Sequence, residues 1–501
     1  MSVVAIPIPG GGGAPHRRWS WLRWGLAGLA GLALLGWLLP AVALMLVSIA
    51  VVTWLAISPK RAFVVFACLL PLHTVTMAFL FGVVGVPTAI VRGLAAWKEA
   101  LVLAVFIATM VRALSGRGAG ATMHWMDLVV GALGALILGD LIARVAFQGD
   151  AFVPFIGQLY GARDTGIFLL LYYVGRSNAR EMTTEGVAKM LFLIGAATAL
   201  LAILERLFVP PQTVMAVGLV KYMKDFLNSG VFLTEDDLPQ NYFSDIGGKR
   251  FPRAGSIWLS SQAFALSFLL IMPVATILLL RRDRRASVMR WVAYAVSWIG
   301  LLLSITRLPI LSAFLGACVV AWYLHRRWTI VGVVATFVGA VVLAIIVVPD
   351  LGRWLMDTLF FKTASSTGHI ADWTSGVNAL FEHPFGTGLG TADATGERFG
   401  AEHVTSDNVY LKYGVELGFA GLALLATIFV GVAGTAWMVA RSTMASVEGR
   451  HFGIWILAAT IGVAISGMSV SLFNDQFVGY LYFWLAGAMI TIAQTRSTRA
   501  T

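Results

Sequence analysis

Apolar runs recur along the whole chain, broken by short polar stretches, and each is close to the roughly 17–25 residues that a helix needs to cross a bilayer. The runs are continuous rather than alternating. Of the two structures that satisfy their backbone polar groups inside lipid, helices and closed barrels, this pattern selects helices. Predicted spans fall at about 61–84, 94–113, 125–147, 163–177, 186–208, 257–281, 287–304, 307–325, 328–348, 416–440, 452–473 and 475–494. Residues 25–58 are too long for one span, and Pro40 near their middle predicts two short helices in a tight hairpin. The expected fold class is an all-α polytopic membrane protein of about 12–14 transmembrane helices with two large outer loops. The chain then divides into N-terminal helices at 1–208, a first large loop at 209–255, central helices at 256–348, a second large loop at 349–406, and C-terminal helices at 407–501.

Composition agrees: 58% of the 501 residues are hydrophobic and 12% charged, against roughly 45–50% and 25% in soluble domains. The net charge of +11 is mostly accounted for by orientation. With the N-terminus inside, Lys60/Arg61, Arg112/Arg117, Arg176/Arg180, RRDRR at 281–285, HRR at 325–327, Arg441/Arg450 and Arg496/Arg499 all fall on the cytoplasmic side. No nucleic-acid partner is needed to explain the charge, and both large loops face outward. PHRRWSWLRW, without a small-residue cleavage site, reads as the basic flank of an uncleaved first span. Cys68 and Cys318 lie inside apolar runs and read as small buried hydrophobes, with no disulfide framework or metal spacing.

Some cations fall on the other side. Arg92 and Lys98 flank or open the 94–113 span, and Arg163 opens the 163–177 span. GGKRFPRAGS brings Lys249, Arg250 and Arg253 to the mouth of the 257–281 span, and LLLSITRLPIL starts the next outer mouth with Arg307. A guanidinium at membrane depth costs a few kcal/mol or more unless paired or wet. Each one alone is equally well explained by snorkelling to headgroup phosphates. Arg307 is harder to explain so, because its outer turn is very short and Pro309 follows. Arg253 is similarly held after Pro252. Converging arginines suit a two-armed grip on phosphate or pyrophosphate oxygens.

The second large loop carries HPFGTGLGT, whose Gly386, Gly388 and Gly390 lack the strand–turn–helix setting of a nucleotide phosphate loop. It reads as a flexible turn leaving an interfacial helix at about 369–382. TSDNVYLKYGVELGFAG (405–421) reads as a helix start capped by Ser406 or Asp407. Within it, Lys412 and Glu416 are spaced to pair with each other, as are Asp140 and Arg144 elsewhere. TEDDLPQ, from Thr234, reads as a solvated loop rather than a metal site.

HPFGTGLG followed by SDNVYLKYGVELGFAGL resembles the O-antigen ligase and polymerase family of bacterial envelope glycosyltransferases. That family follows a proline–glycine stretch with a His-Asn or Asp-Asn pair, an aromatic, and a Glu-x-Gly-x-x-Gly lead into a helix. Here these are Asp407, Asn408, Tyr410, Glu416, Gly418 and Gly421. RAGSIWLSSQAFA (253–265) is similar to the family's arginine-led segment, and SITRLPILSAFLGA (304–317) to its Ser/Thr-Arg helix start. The resemblance covers about residues 250–430.

The resemblance implies glycan transfer at the periplasmic face of the bacterial inner membrane. The donor would be an undecaprenyl-diphosphate-linked oligosaccharide and the acceptor a glycan or a lipid. No cofactor or metal is implied; membrane lipids and other polysaccharide-assembly proteins are the expected surroundings. Arg253, Arg307 and Arg163 would bind the diphosphate, and Asn408 and Tyr410 would contact sugar or acceptor. Ligases of the family carry a histidine before the Asn to activate the acceptor hydroxyl. Here Asp407 stands there, with His403 and His369 as alternative bases, which favours a polymerase of surface or exopolysaccharide repeats over a ligase to lipid A-core. A transporter or flippase is the next reading. It would gather ionisable groups and broken helices near the midplane, often with internal repeats, and no obvious repeat is present. A non-catalytic scaffold is the third.

Overall fold

The computed structural model describes residues 50–116, 122–147, 153–227, 233–234, 238–280, 287–324, 327–347, 349–360, 362–399 and 407–500. Residues 25–49 of the predicted hairpin, the RRDRR cluster, Glu235, Asp236 and Asp237 of TEDDLPQ, and His403 lie outside these residues.

The chain is helical almost throughout. α1 (Pro59–Ala78) continues through a π turn at Phe79–Val83; α2 (Thr88–Ala95) and α3 (Trp97–Leu114) follow; then α4 (Trp125–Phe147), α5 (Phe155–Gly166), α6 (Leu169–Ser177) and α7 (Glu185–Phe208). The central block holds α8 (Ser261–Leu280), α9 (Val288–Leu303), α10 (Arg307–Tyr323) and α11 (Arg327–Val347). α12 (Pro349–Leu359), α13 (Ala364–Glu382) and α14 (Asp393–Arg398) fill the second loop, and α15 (Val409–Arg441), α16 (Val447–Ser466) and α17 (Gln476–Ala500) complete the chain. Among the described residues, eight helices are long and apolar enough to cross a membrane, and α9, α10 and part of α11 are shorter apolar helices. This is an all-α polytopic membrane protein.

A helix that is apolar on every side belongs inside a bundle or a bilayer. α8 takes the centre, with 94% of its apolar window buried against neighbouring helices. Near it, Trp455 of α16 donates its indole N–H to the Leu270 carbonyl at 2.8 Å. Cys68 is exposed on the surface of the bundle rather than buried, and both cysteines are free.

Two expected spans come out differently. The 163–177 span is two helices, so Arg163 ends α5 instead of opening a span. α5 runs through GARDTG to Gly166, and the chain turns at Ile167–Phe168 before α6 begins. The Thr165 carbonyl beside the break accepts the Tyr413 hydroxyl at 2.6 Å. The 416–440 span starts earlier, at Val409, for the capping reason described below.

Among the described residues the two large loops contain one small sheet, an antiparallel hairpin of β1 (Phe243–Ile246) and β2 (Lys249–Pro252) turning at Gly247–Gly248. Its turn meets α12, where a methyl built on Gly247 would lie 2.4 Å from the Asp350 Cβ. The two large loops therefore touch, at the end of the bundle where Arg253 and Arg307 emerge.

Candidate functional site

The entrance of α15 is built first by its cap. The Asn408 side-chain oxygen accepts from the Tyr410 and Leu411 amides at 2.9 and 3.2 Å, while its Nδ2 donates to the Met468 carbonyl at 3.1 Å. Tyr410 donates its hydroxyl to the Ala464 carbonyl at 2.8 Å. Both residues, expected at the sugar, have these polar groups engaged within the fold. Asp407 stands just outside the cap.

One and two turns further in, Lys412 and Glu416 are buried, and they do not form the pair their spacing predicts. Lys412 pairs with Asp393 at 3.4 Å and donates to the Asn474 side chain at 2.8 Å. Glu416 accepts from the Thr165 hydroxyl at 2.9 Å and the Gly390 amide at 3.1 Å. Tertiary partners replace the local pair because burial makes a lone charge costly and these partners lie closer to hand.

The Glu-x-Gly-x-x-Gly pattern has a backbone explanation. Gly418 sits inside α15 at φ 69° and ψ −167°, which breaks the helical ladder and frees the carbonyls before it. The glycine-rich segment supplies the missing bonds: Thr387 N–H to the Val415 carbonyl at 2.7 Å and Gly388 N–H to the Glu416 carbonyl at 3.0 Å. In return the Phe419 amide donates to Pro384 at 3.0 Å. At Gly388, φ is 105° and a methyl would lie 2.2 Å from Arg144 Nε, so the backbone must be bare there. Arg144 and Asp140 do pair, at 3.0 Å, and they also hold this loop through the Gly386 carbonyl and the Leu389 amide. HPFGTGLGT is thus a packed brace rather than a flexible turn.

Arg253 and Arg307 come together at neighbouring mouths. Arg253 donates to the Ser304 carbonyl at 3.1 Å, the Asn241 carbonyl at 3.2 Å and the Thr306 hydroxyl at 2.8 Å. Arg307 lies 4.3 Å over the Trp354 ring and reaches the Ser366 hydroxyl at 3.4 Å. Among the described residues neither arginine has an ion pair. Burial and the neighbouring Arg307 cation pull Arg253 down to about 10. Ser256 and Ile305, close in sequence to the two arginines, hold left-handed φ values of 51° each, strain of the kind that gathers at functional sites.

α13 links this pair to Asp407. Thr363 caps the helix by accepting from the Ser366 amide at 3.2 Å. Ser366 faces Arg307, and one turn on His369 Nδ1 lies 3.8 Å from Asp407 Oδ2. The Asp407 side chain keeps 54% of its surface open to solvent, and crowding by the surrounding protein pushes it up to about 6; His369 opposes the rise, and the Asp393 and Asp372 carboxylates add to it. His369, Asp372 and Asp407 bring ligand atoms within 4.8 Å of one another, a donor set able to hold a divalent cation as well as a proton.

Arg163 is elsewhere. It pairs with Asp164 at 2.7 Å and lines a separate cavity with Lys98 and Tyr160. Trp354 and Ser366, which position Arg307, were not singled out from the sequence. Each lies on a loop helix whose docking has no local signature.

Residues 292–426 match the family model described as O-antigen ligase. The segment is similar to that family, and the match spans a little over a quarter of the chain. The match runs from α9 into α15, so the O-antigen ligase domain contains Arg307, Ser366, His369, Asp407 and the Gly418 kink, while Arg163 and Arg253 precede it. No curated protein matches the chain. Together with its membrane helices, the match supports a polysaccharide-related bacterial membrane enzyme of the glycosyl-transferring kind.

Proposed function

We propose that this protein polymerises undecaprenyl-diphosphate-linked repeat units of a surface or exported polysaccharide at the periplasmic face of the inner membrane. The observation that carries the reading is the Arg253–Arg307 pair. Two buried guanidiniums, the Arg307 cation adding to what burial does to Arg253, with neutral acceptors and a ring face around them among the described residues, form a place prepared for an anion. In the reaction an acceptor hydroxyl attacks the anomeric carbon of the donor, and the bond from that carbon to the diphosphate oxygen breaks. Negative charge grows on the departing diphosphate, where preorganised donors are worth about 10²–10³ in rate each. The acceptor proton passes to Asp407, which His369 orients and whose raised pKa makes it a stronger base than an ordinary aspartate. A carboxylate in the place of the ligases' histidine favours polymerisation. The ligase reading is supported by the description of the matched family itself.

The test is a strain lacking the gene, complemented with wild type, Arg307→Ala or Asp407→Ala at matched membrane levels, with lipid-linked and surface glycan sized on gels. Single repeat units should accumulate in both variants. Long lipid-linked chains that fail to reach a final acceptor would make the protein a ligase. Normal glycan from both variants would sink the site and restore the transporter or scaffold readings.

A further inference from the structure

The cavity that holds Arg163 is larger than the space beside Arg253: about 540 Å³ against about 190 Å³. The two are neighbours, with Thr74, Tyr222, Leu227, Trp258 and Ala263 lining both. Their charge chemistry differs. The larger one contains Lys98, only 4% exposed, whose Nζ lies 2.8 Å from the His73 ring and 3.8 Å from Glu99. Arg163 is also 3.8 Å from Glu99, so this carboxylate stands between two cations and is hydrogen-bonded to neither. Arg163 and Arg398 each lie 4.7 Å from the Tyr160 ring centre. Asn474 and Gln476 add amides, and Asp475 contributes a buried carboxylate oxygen without a hydrogen-bond partner.

Cations suit phosphate oxygens, and carboxylates and amides suit sugar hydroxyls. Together they describe a glycosyl phosphate. We propose that this cavity binds the diphosphate and first sugar of a second lipid-linked saccharide, the acceptor, while Arg253 and Arg307 hold the donor. The inference rests on the polymerase reading, because a polymerase joins two lipid-linked molecules and releases only one carrier. The division of charge fits that asymmetry. The donor diphosphate gains negative charge as its bond breaks, and it meets arginines that no carboxylate among the described residues offsets. The acceptor diphosphate keeps its charge throughout, and it meets cations already balanced by Glu99 and Asp164.

The experiment counts undecaprenyl diphosphate bound to the full-length protein by native mass spectrometry in detergent, with phosphatidylglycerol and undecaprenol as competing lipids. Two equivalents are expected on wild type. Lys98→Met with Arg163→Gln should leave one, Arg253→Gln with Arg307→Gln should leave one, and the fourfold variant none. Thermal unfolding of each variant guards against a general loss of structure. If Lys98→Met/Arg163→Gln unfolds, Arg163→Lys replaces it, expected to weaken the second equivalent about tenfold while leaving the first. One equivalent on wild type, lost only with Arg253 and Arg307, would overturn the second site and leave the donor site standing. Displacement of the second equivalent by phosphatidylglycerol would reassign the cavity to an ordinary headgroup and overturn the proposal. No binding to wild type would refute the donor site as well.

Discussion

Two sets of charges meet at the entrance of α15 and are handled in opposite ways. Lys412 and Glu416 lie inside, with a carboxylate, two side-chain partners and a backbone amide arranged around them. Arg253, Arg307 and Asp407 lie at the mouth, where the arginines contact neutral groups and Asp407 meets His369 only at 3.8 Å. The residue types are similar and the spacing signals equally strong. What separates them is how completely the fold answers each charge. A fully answered charge holds helices in register; an incompletely answered one is held ready for something that arrives.

The comparison breaks most visibly at Glu416. Glu416→Ala leaves the buried Thr165 hydroxyl and Gly390 amide without their acceptor, which should cost about 1–3 kcal/mol for each. The protein should then be depleted from membranes and melt early in detergent, whereas Arg307→Ala should accumulate normally. If Glu416→Ala were stable and merely inactive, the division into braced and waiting charges would be wrong.

Asp407 sharpens the other side. Asp407→Asn should lower turnover by about 10²–10⁴ with wild-type stability. As a base Asp407 must be ionised, so wild-type activity should fall as pH drops through about 6. His369 holds that pKa down, so His369→Ala should move the acidic limb to higher pH. A profile that ignores both substitutions would remove Asp407 from the chemistry. The smallest effect belongs to Asn408: Asn408→Ala loses a cap worth about 1 kcal/mol, read as a lower melting temperature with activity per folded molecule retained. A large loss of turnover at unchanged stability would instead return Asn408 to the substrate.

Much of this was legible in the sequence because hydrocarbon enforces long apolar runs, and those runs locate α1, α4, α7, α8, α9, α10, α11 and α17 closely, while α16 starts five residues earlier than expected. The paired arginines and Asp407 were also visible, since a charge at a helix mouth stands out against apolar surroundings. Partners were not visible. Lys412 and Glu416 are spaced as a pair, yet Asp393 and Thr165 answer them from other segments, and local spacing carries no information about tertiary contacts. The break between α5 and α6 was missed because apolar residues follow GARDTG without interruption. Arg163 was grouped with Arg253 because both approach one end of the bundle; a shared end does not make a shared cavity.

The kink at Gly418 has a consequence for how the protein is made. The carbonyls of Val415 and Glu416 are bonded by a preceding loop and not by α15 itself, and Lys412 and Glu416 find their partners on α14, α5 and the neighbouring loops. Released alone into lipid, this helix would carry unsatisfied backbone and two charges into hydrocarbon. α15 is therefore a dependent span. Its berth is prepared in two stages: α4, α5 and the glycine brace are already made when it emerges, while the Met468, Ala464 and Asn474 groups that hold its cap and Lys412 follow it in the chain.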